Sequence, residues 1–535
     1  MSGAEELLER PFGTLSELIR FHARERPRHE ALIEEGRSLD YGALDALMDR
    51  IAAALQRDGL RAGDSLALCG ANSIHYAAVF LAGLRAGIAV APLAPSTTAE
   101  SLAAMVSDAG ARYLFLDDAA AKTIEPARER ITARCIALEE KGSGTFSALQ
   151  QNASRVRSEN VPDPFSSWLA GAEAKPRAVE VRPGDPFNII YSSGTTGTPK
   201  GIVQPNSMRW VQLQRGPTYG YGPDSVTLIS TPLYSNTTLV CFFPTLAMGG
   251  AVVLMAKFDA RRYLTLAEKH RVTHTMLVPV QYQRLMALPD FDRYDLTSYR
   301  VKFSTSAPFS AALKGDVLAR WPGALIEFYG MTEGGGTLIL MAHEHPDKLH
   351  TVGLPAPGHD IRLIDDDGRE VPPGATGEVV GHSSAMMTGY HNKPAMTAQA
   401  EWFDAAGKRF IRTGDVGRFD ADGFLILLDR KKDMIISGGF NVYPSDLESV
   451  IVSHPDVVEA AVVGVPSVEW GETPVAFVVA KATIDAESLL QWTNQRVGKV
   501  QRLAAVRIVE SLPRSAIGKV LKRELRERYR EAGKT

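Results

Sequence analysis

Two hydrophobic periods alternate along this chain, and nothing else in the sequence restricts its fold as strongly. "DYGALDALMDRIAAALQRDGL" (residues 40–60) places apolar residues at helical spacing and closes on Gly59; the short apolar "SLALCG" after it reads as a buried strand. "SIHYAAVFLAGLRAGIAVAPL" repeats the unit as helix, glycine stop and strand. The alternation continues through "DPFNIIYS", "TLIST", "GAVVLM", "YLTLAEKHRVTHTMLVP" and "YRVKFSTSA". Such a chain builds an α/β fold, with mainly parallel sheets covered by helices. No internal repeat is visible.

After about residue 352 the character changes. "IRLIDDDGREVPPGATGEVVG" and "KRFIRTGDVGRFDADGFLILLDR" are short strands joined by Asp-Gly and Pro-Gly turns, the signature of a small β-rich subdomain. "DRKKDMIISGG" then leads into a separate α/β unit of about 105 residues. Its helix "YPSDLESVIVSHP" takes Ser445 as cap, and "VVEAAVVGVP", "VAFVVA" and "AAVRIVE" read as strands. The expected division is residues 1–430 and 431–535. At 535 residues, more than one domain is the prior.

A net charge of −3 provides no basic field for nucleic acid. Cys69, Cys135 and Cys241 are too widely spaced for a disulfide framework or a zinc site. The N-terminal segment has mixed charge and no secretory apolar core. The longest apolar run, Cys241 to Ala256, has 16 residues and is broken by Pro244 and a glycine pair, short of the ~20 a membrane helix needs. These features read as a cytoplasmic protein without a transmembrane segment; they leave the oligomeric state, including a homodimer, open.

"YSSGTTGTPKG" (residues 191–201) follows the strand-like "DPFNII" and cannot contribute to a core. Its glycines let successive backbone N–H groups turn toward one point, an anion-binding nest. Ser192, Ser193, Thr195, Thr196 and Thr198 add hydroxyl donors around Gly194 and Gly197, and Lys200 adds a compact positive charge. A polyphosphate is the natural ligand. The Walker pattern does not apply, because Pro199 stands where its second glycine belongs.

This loop closely resembles the signature of the adenylate-forming superfamily, which includes acyl- and aryl-CoA synthetases, peptide-synthetase adenylation domains and beetle luciferases. "YGMTE" (329–333), "RTGDVGRFDADGF" (412–424), "DRKKDMIISGGFNVYPSDLE" (429–448) and "LPRSAIGKV" (512–520) recur in the family's order, so the resemblance spans essentially the whole chain. It implies a large adenylation domain, a small mobile C-terminal domain, and two-step chemistry with ATP, Mg²⁺ and coenzyme A. A carboxylate attacks the α-phosphate of ATP, and a thiol then attacks the acyl-adenylate.

The same resemblance assigns roles. The glycine-rich loop would hold the β- and γ-phosphates. Tyr329, Gly330 and Met331 would flank adenine, with Ser306, Ala307 and Pro308 of "STSAP" lining the same pocket. Thr332 would meet the α-phosphate, and Glu333 the metal, a hard cation suited to a carboxylate. Asp415 would bind the ribose hydroxyls, with Arg430 beside it. Lys519 would bridge carboxylate and α-phosphate. Lys432 aligns with the hinge, Gly438 and Gly439 with the thiol tunnel, and Trp470 with a residue packing near coenzyme A.

Relatives build the acyl pocket from the segment holding Tyr234, Ser235 and Asn236 and from the loop holding Gly330 and Gly334. No Asp or Glu lies between Ser225 and Phe258, so an α-amino acid would leave its ammonium unpaired. An apolar acid is expected, aryl or medium to long alkyl. Ser235 stands where many CoA ligases carry His; with Gly334, Gly335 and Gly336 it suggests room for a bulky acid. The chain ends sixteen residues after Lys519, so a carrier protein serving as acceptor would be a separate molecule. Free coenzyme A is the first reading, and a ligase loading a separate carrier protein the alternative. A retired homologue would have lost Lys519, Glu333 or the phosphate loop, and all are present. His343, His345 and His350 read as a solvated loop.

Overall fold

The computed structural model describes residues 3–138, 162–192, 200–437, 440–467, 470–481, 484–515 and 518–532. Among these, four sheets carry the fold. The first has a parallel centre of Ser65–Cys69, Ala89–Leu93, Ala111–Leu116 and Arg134–Ala137. Pro186–Ser192 joins it parallel to Ala89–Leu93 and pairs antiparallel with Lys200–Pro205. The second sheet runs Val226–Ile229, Ala251–Leu254, His274–Leu277, Val301–Ser304 and Ala324–Tyr329 in parallel.

Helices fill the space between the two sheets. Tyr41–Arg57 starts at Asp40, whose carboxylate accepts from Ala43 N, and buries Leu44, Met48, Ile51 and Leu55. Ile74–Arg85 and Asn236–Ala247 are buried on nearly all sides, the pattern of helices with protein on both faces. One continuous core joins these helices to Leu66, Leu68 and Val90 of the first sheet and to Leu32, Val252 and Leu254 of the second.

The β-rich subdomain is an antiparallel sheet of Asp360–Ile364, Gly377–His382, Glu401–Phe403, Arg409–Phe419 and Leu425–Arg430. A further sheet follows, built from Ile435–Ser437, Phe440–Val442, Val457–Ser467, Gly471–Ala480 and Ala505–Ile508. Helices Pro444–Val452, Ala486–Asn494 and Lys522–Ala532 accompany it.

Two local features differ from the sequence reading. Ser445 is not a helix cap: the helix begins one residue earlier, on Pro444, where a missing N–H costs nothing. Ser445 instead donates its hydroxyl to Leu428 O and its N–H to Asp429 (3.1 Å), tying this helix to the strand Leu425–Arg430. The second feature is a hairpin, Glu30–Glu34 with Arg37–Asp40, that extends the second sheet alongside Ala251–Leu254. No helix among the described residues is long and apolar enough to cross a membrane.

Candidate active site

Strand pairing sets Asp415 directly opposite Arg430, and the end of Ala324–Tyr329 brings Tyr329 to the same place. Arg430 Nε donates to Asp415 Oδ1 and the Tyr329 hydroxyl donates to Oδ2, both at 2.8 Å. Burial and the adjacent Asp415 charge push the Tyr329 phenol well above its usual range, so it remains a donor. The carboxylate is thereby fixed in direction, with lone pairs left for a diol.

On the phosphate side, Lys200 opens the strand Lys200–Pro205, and the short strand Gly389–Tyr390 pairs along its edge. The Lys200 ammonium lies 5.7 Å from the centre of the Tyr390 ring, whose hydroxyl donates to Glu333 Oε1 at 2.8 Å. Tyr390 thus links the loop cation to the candidate metal carboxylate. The Glu333 backbone carbonyl accepts from Met387 N (2.8 Å), and the Thr332 carbonyl accepts from Gln204 Nε2 (2.6 Å). Among the described residues no three His, Cys, Asp or Glu side chains form a cluster for a metal. One carboxylate suits a Mg²⁺ that takes its remaining oxygens from phosphate and water. Ser193, Gly194, Thr195, Thr196, Gly197 and Thr198 lie outside the described residues, and Ser192 is described by its backbone alone.

Lys519 sits on a tight loop. Ser515 N donates to Lys519 O at 2.8 Å, and Lys519 N donates to Ser515 Oγ at 3.2 Å. Gly518 has φ +77°, and a Cβ there would lie 2.7 Å from Val280 Cγ1. Only a glycine lets this loop approach the helix Pro279–Met286 so closely. The Lys519 ammonium is brought down to about 8, first by the protein around it and then by the Arg430 charge, with Asp415 opposing. Its side chain keeps a solvent-exposed flank, which moderates the shift without changing its direction. Lys432 is exposed nearby, and its ammonium is also lowered, by burial and by Arg430.

The expected acyl wall is half-buried at Tyr234, Ser235 and Asn236. Ser235 caps the helix Asn236–Ala247, its hydroxyl accepting from Thr237 N (3.3 Å). Thr237 Oγ1 meets Ser306 Oγ at 2.5 Å, and Ser306 holds a left-handed φ of 81°. Ala307 is half-buried, and Pro308 and Gly330 are exposed. The glycines after Glu333 do not open space. A Cβ at Gly334 would fall 2.1 Å from Ala385 O, at Gly335 2.7 Å from Gly381 O, and at Gly336 1.9 Å from Ile361 Cδ1. The room expected there is filled by the β-rich subdomain, whose close packing requires these glycines.

Trp470 is 39% exposed at the turn between Val457–Ser467 and Gly471–Ala480, with Ile436 (54%) and Phe440 (59%) on the adjacent hairpin. Gly438 and Gly439 lie outside the described residues. Of the loop histidines, His343 contacts Leu325 O and His345 packs on Phe424. Sequence reasoning missed Tyr390, Gln204 and Arg209. Gln204 and Arg209 gave only the signal of polar residues in and after the strand that follows the phosphate loop, and Tyr390 gave none.

The profile of the AMP-binding enzyme family matches residues 19–391, and that of the AMP-binding enzyme C-terminal domain matches residues 446–519. A fatty acid–[acyl-carrier-protein] ligase of Streptomyces coeruleorubidus is 31% identical, covering 96% of each chain. A feruloyl-CoA synthase of an Amycolatopsis species is 32% identical over 95% of this chain and 97% of its own. The crystal structure of ATP-bound MatB from Rhodopseudomonas palustris superposes with a TM-score of 0.81 at 30% identity, covering 97% of this chain and 99% of that one.

The fold is that of the adenylate-forming enzymes, and the chain belongs to the AMP-binding enzyme family. It is an AMP-forming acid–thiol ligase whose cofactors are ATP, Mg²⁺ and coenzyme A.

Proposed function

We propose that the protein activates an apolar aryl or medium- to long-chain carboxylic acid and transfers the acyl group to coenzyme A in the cytoplasm. The observation that carries this reading is the approach of Lys519 to the Arg430–Asp415 pair, with Gly518 packed on Val280. It supports a cation acting beside the candidate ribose site, with Gly518 resting on Val280 in the segment that would enclose the acid. Three buried cysteines, none in a disulfide, fit a reducing compartment.

In the first step a carboxylate oxygen attacks the α-phosphorus, the bond to pyrophosphate breaks, and an acyl-adenylate forms. Two anions must meet, so positioning and charge neutralisation supply most of the catalysis. Lys519 holds the carboxylate against the α-phosphate, while Thr332 and Lys200 engage phosphate oxygens. Mg²⁺ at Glu333 would neutralise phosphate charge. Asp415, oriented by Tyr329 and Arg430, holds the ribose. In the second step a thiol sulfur attacks the acyl carbon, AMP leaves, and the thiol proton passes to AMP or solvent. Residues 431–535 form the domain that turns about Lys432 between the steps, bringing Gly438, Gly439 and Trp470 to the thiol.

An aryl or alkyl acid is supported by the absence of Asp and Glu from Ser225 to Phe258. A second reading, transfer to a separate carrier protein, is favoured by the similarity to the Streptomyces carrier-protein ligase. The test is pyrophosphate release with Mg-ATP across aryl, short, medium and long acids, each alone, with coenzyme A, and with a phosphopantetheinylated carrier. Turnover with an apolar acid only when coenzyme A is present, yielding AMP and a thioester, is the expected result. Turnover only with the carrier selects the second reading, and preference for acetate or an amino acid overturns the substrate class.

A further inference from the structure

Arg209, on the helix Asn206–Gln214, is 1% exposed and lies against the rings of Phe187 (5.7 Å) and Phe243 (5.6 Å). Among the described residues no carboxylate pairs with it. Its guanidinium donates instead to three neutral amides: Gln212 Oε1 at 2.8 Å, Asn236 Oδ1 at 2.9 Å, and Gln204 Oε1. Its Nε is unpaired, and Asn188, opposite Gln204 in strand register, leaves both amide atoms unpaired. Burial alone brings the guanidinium down to about 9, so it stays charged at neutral pH.

A buried cation without a counter-charge is a poor stabilising device, and an apolar side chain of similar volume would pack there at least as well. Its chemistry gives another reason for its presence. Arginine only donates, so it forces the carbonyl oxygens of Gln204 and Asn236 to face it. The Gln204 NH₂ must then point away, and it donates to Thr332 O at 2.6 Å, with Asn236 Oδ1 at 3.4 Å. Gln204 lies on the strand that follows the phosphate loop, Thr332 precedes Glu333, and Asn236 opens the helix of the expected acyl wall.

We propose that Arg209 is a positioning residue for adenylation: through the enforced orientation of Gln204 and Asn236, it fixes the Thr332–Glu333 backbone relative to the acyl wall. This rests on the reading that Thr332 and Glu333 serve the phosphates. Because misplacement by about 1 Å costs about 10²-fold in rate, losing the relay should lower kcat with little change in KM.

The experiment compares Arg209→Met, Arg209→Lys, the double variant Arg209→Met/Gln204→Leu and Thr332→Ala with the parent, using kcat and KM for ATP and acid in pyrophosphate release, together with Tm. The expected result for Arg209→Met, measured well below its Tm, is a kcat reduced by about 10–100-fold with KM values within about threefold. Arg209→Lys restores part of the rate because it still donates to both amides. The double variant removes the Gln204 contact to Thr332 O directly and shows the same loss in kcat. Parental kcat in Arg209→Met or in the double variant overturns the proposal. So does a rate loss that tracks a fall in Tm and that lysine fails to rescue. If Thr332→Ala adenylates at the parental rate while Arg209→Met does not, the assignment of Thr332 fails and the positioning effect stands.

Discussion

Tyr329 and Asp415, 86 residues apart in the sequence, are joined by a hydrogen bond of 2.8 Å, and Arg430 holds the other oxygen of the same carboxylate at 2.8 Å. Two donors therefore decide where the Asp415 lone pairs point before any nucleotide arrives. Hydrogen bonds to a charged group contribute about 1.5–3 kcal/mol, so Asp415→Ala should raise KM for ATP about 10–100-fold. Tyr329→Phe removes one orienting donor and keeps the ring, so its effect should be smaller. Steady-state pyrophosphate release at varied ATP measures both, and an unchanged KM in Asp415→Ala would remove this residue from the nucleotide site.

Lys519 gives adenylation an alkaline limit. Its surroundings and the Arg430 charge bring the ammonium down to about 8, and only the charged form can hold two anions together. Raising the pH through that value deprotonates the group, so kcat/KM, which reports the free enzyme, should be flat below about 8 and fall above it. Lys519→Arg should carry the falling limb to much higher pH. Lys519→Ala should cost about 10²–10³ in the first half-reaction. A limb that stays near pH 8 in Lys519→Arg would assign it to another group.

The parallel sheets were readable because helix and strand periods alternate cleanly over long stretches. The β-rich subdomain was readable from its turns, since Gly368, Gly374 and Gly423 take the left-handed φ values that Asp-Gly and Pro-Gly signal. Asp415, Arg430 and Lys519 could be named because each lies inside a contiguous motif. Tyr390, Gln204 and Arg209 could not. Tyr390 reaches Glu333 only because Gly389–Tyr390 pairs with Val203 and Ile202, a register that no local pattern encodes. Arg209 looks like an ordinary surface arginine until the fold places Phe187 and Phe243 around it. Glycines 334–336 were misread for the same reason: a glycine shows that space is needed, and only tertiary structure tells whether ligand or protein fills it.

Trp470 tests the second half-reaction separately. With 39% of its surface exposed it lies outside the buried core clusters, and Ile436 and Phe440 are exposed apolar residues on the adjacent hairpin. Trp470→Ala should leave pyrophosphate release without acceptor unchanged and Tm unaltered. Loss of an aromatic contact of about 0.5–1.5 kcal/mol should raise KM for coenzyme A up to about tenfold. An equal loss in both half-reactions would mean that Trp470 shapes the domain rather than meeting the thiol substrate.

Glu327 lies two residues before Tyr329 on the same strand, and its stability depends on Lys314. The Lys314 ammonium is 2.5 Å from the Glu327 carboxylate, with side chains 2% and 6% exposed, and it also donates to Leu349 O (2.7 Å) and Thr351 O (3.1 Å). Burial already pushes the Glu327 carboxyl up to about 7 despite the cation. Lys314→Met would leave that carboxyl buried without its partner, a loss of about 3–5 kcal/mol. Without the lysine the folded-state value rises further above the unfolded one. The folded chain then carries a proton that the unfolded chain releases, and each increase in pH favours unfolding. The deficit in Lys314→Met, relative to the parent, should therefore be smaller at pH 5 than at pH 8. Lys314→Met/Glu327→Leu should recover most of it by removing both charges. Urea unfolding of the three proteins at the two pH values measures this, and a deficit under about 1 kcal/mol, or one independent of pH, would show that the pair is not what holds this strand in place.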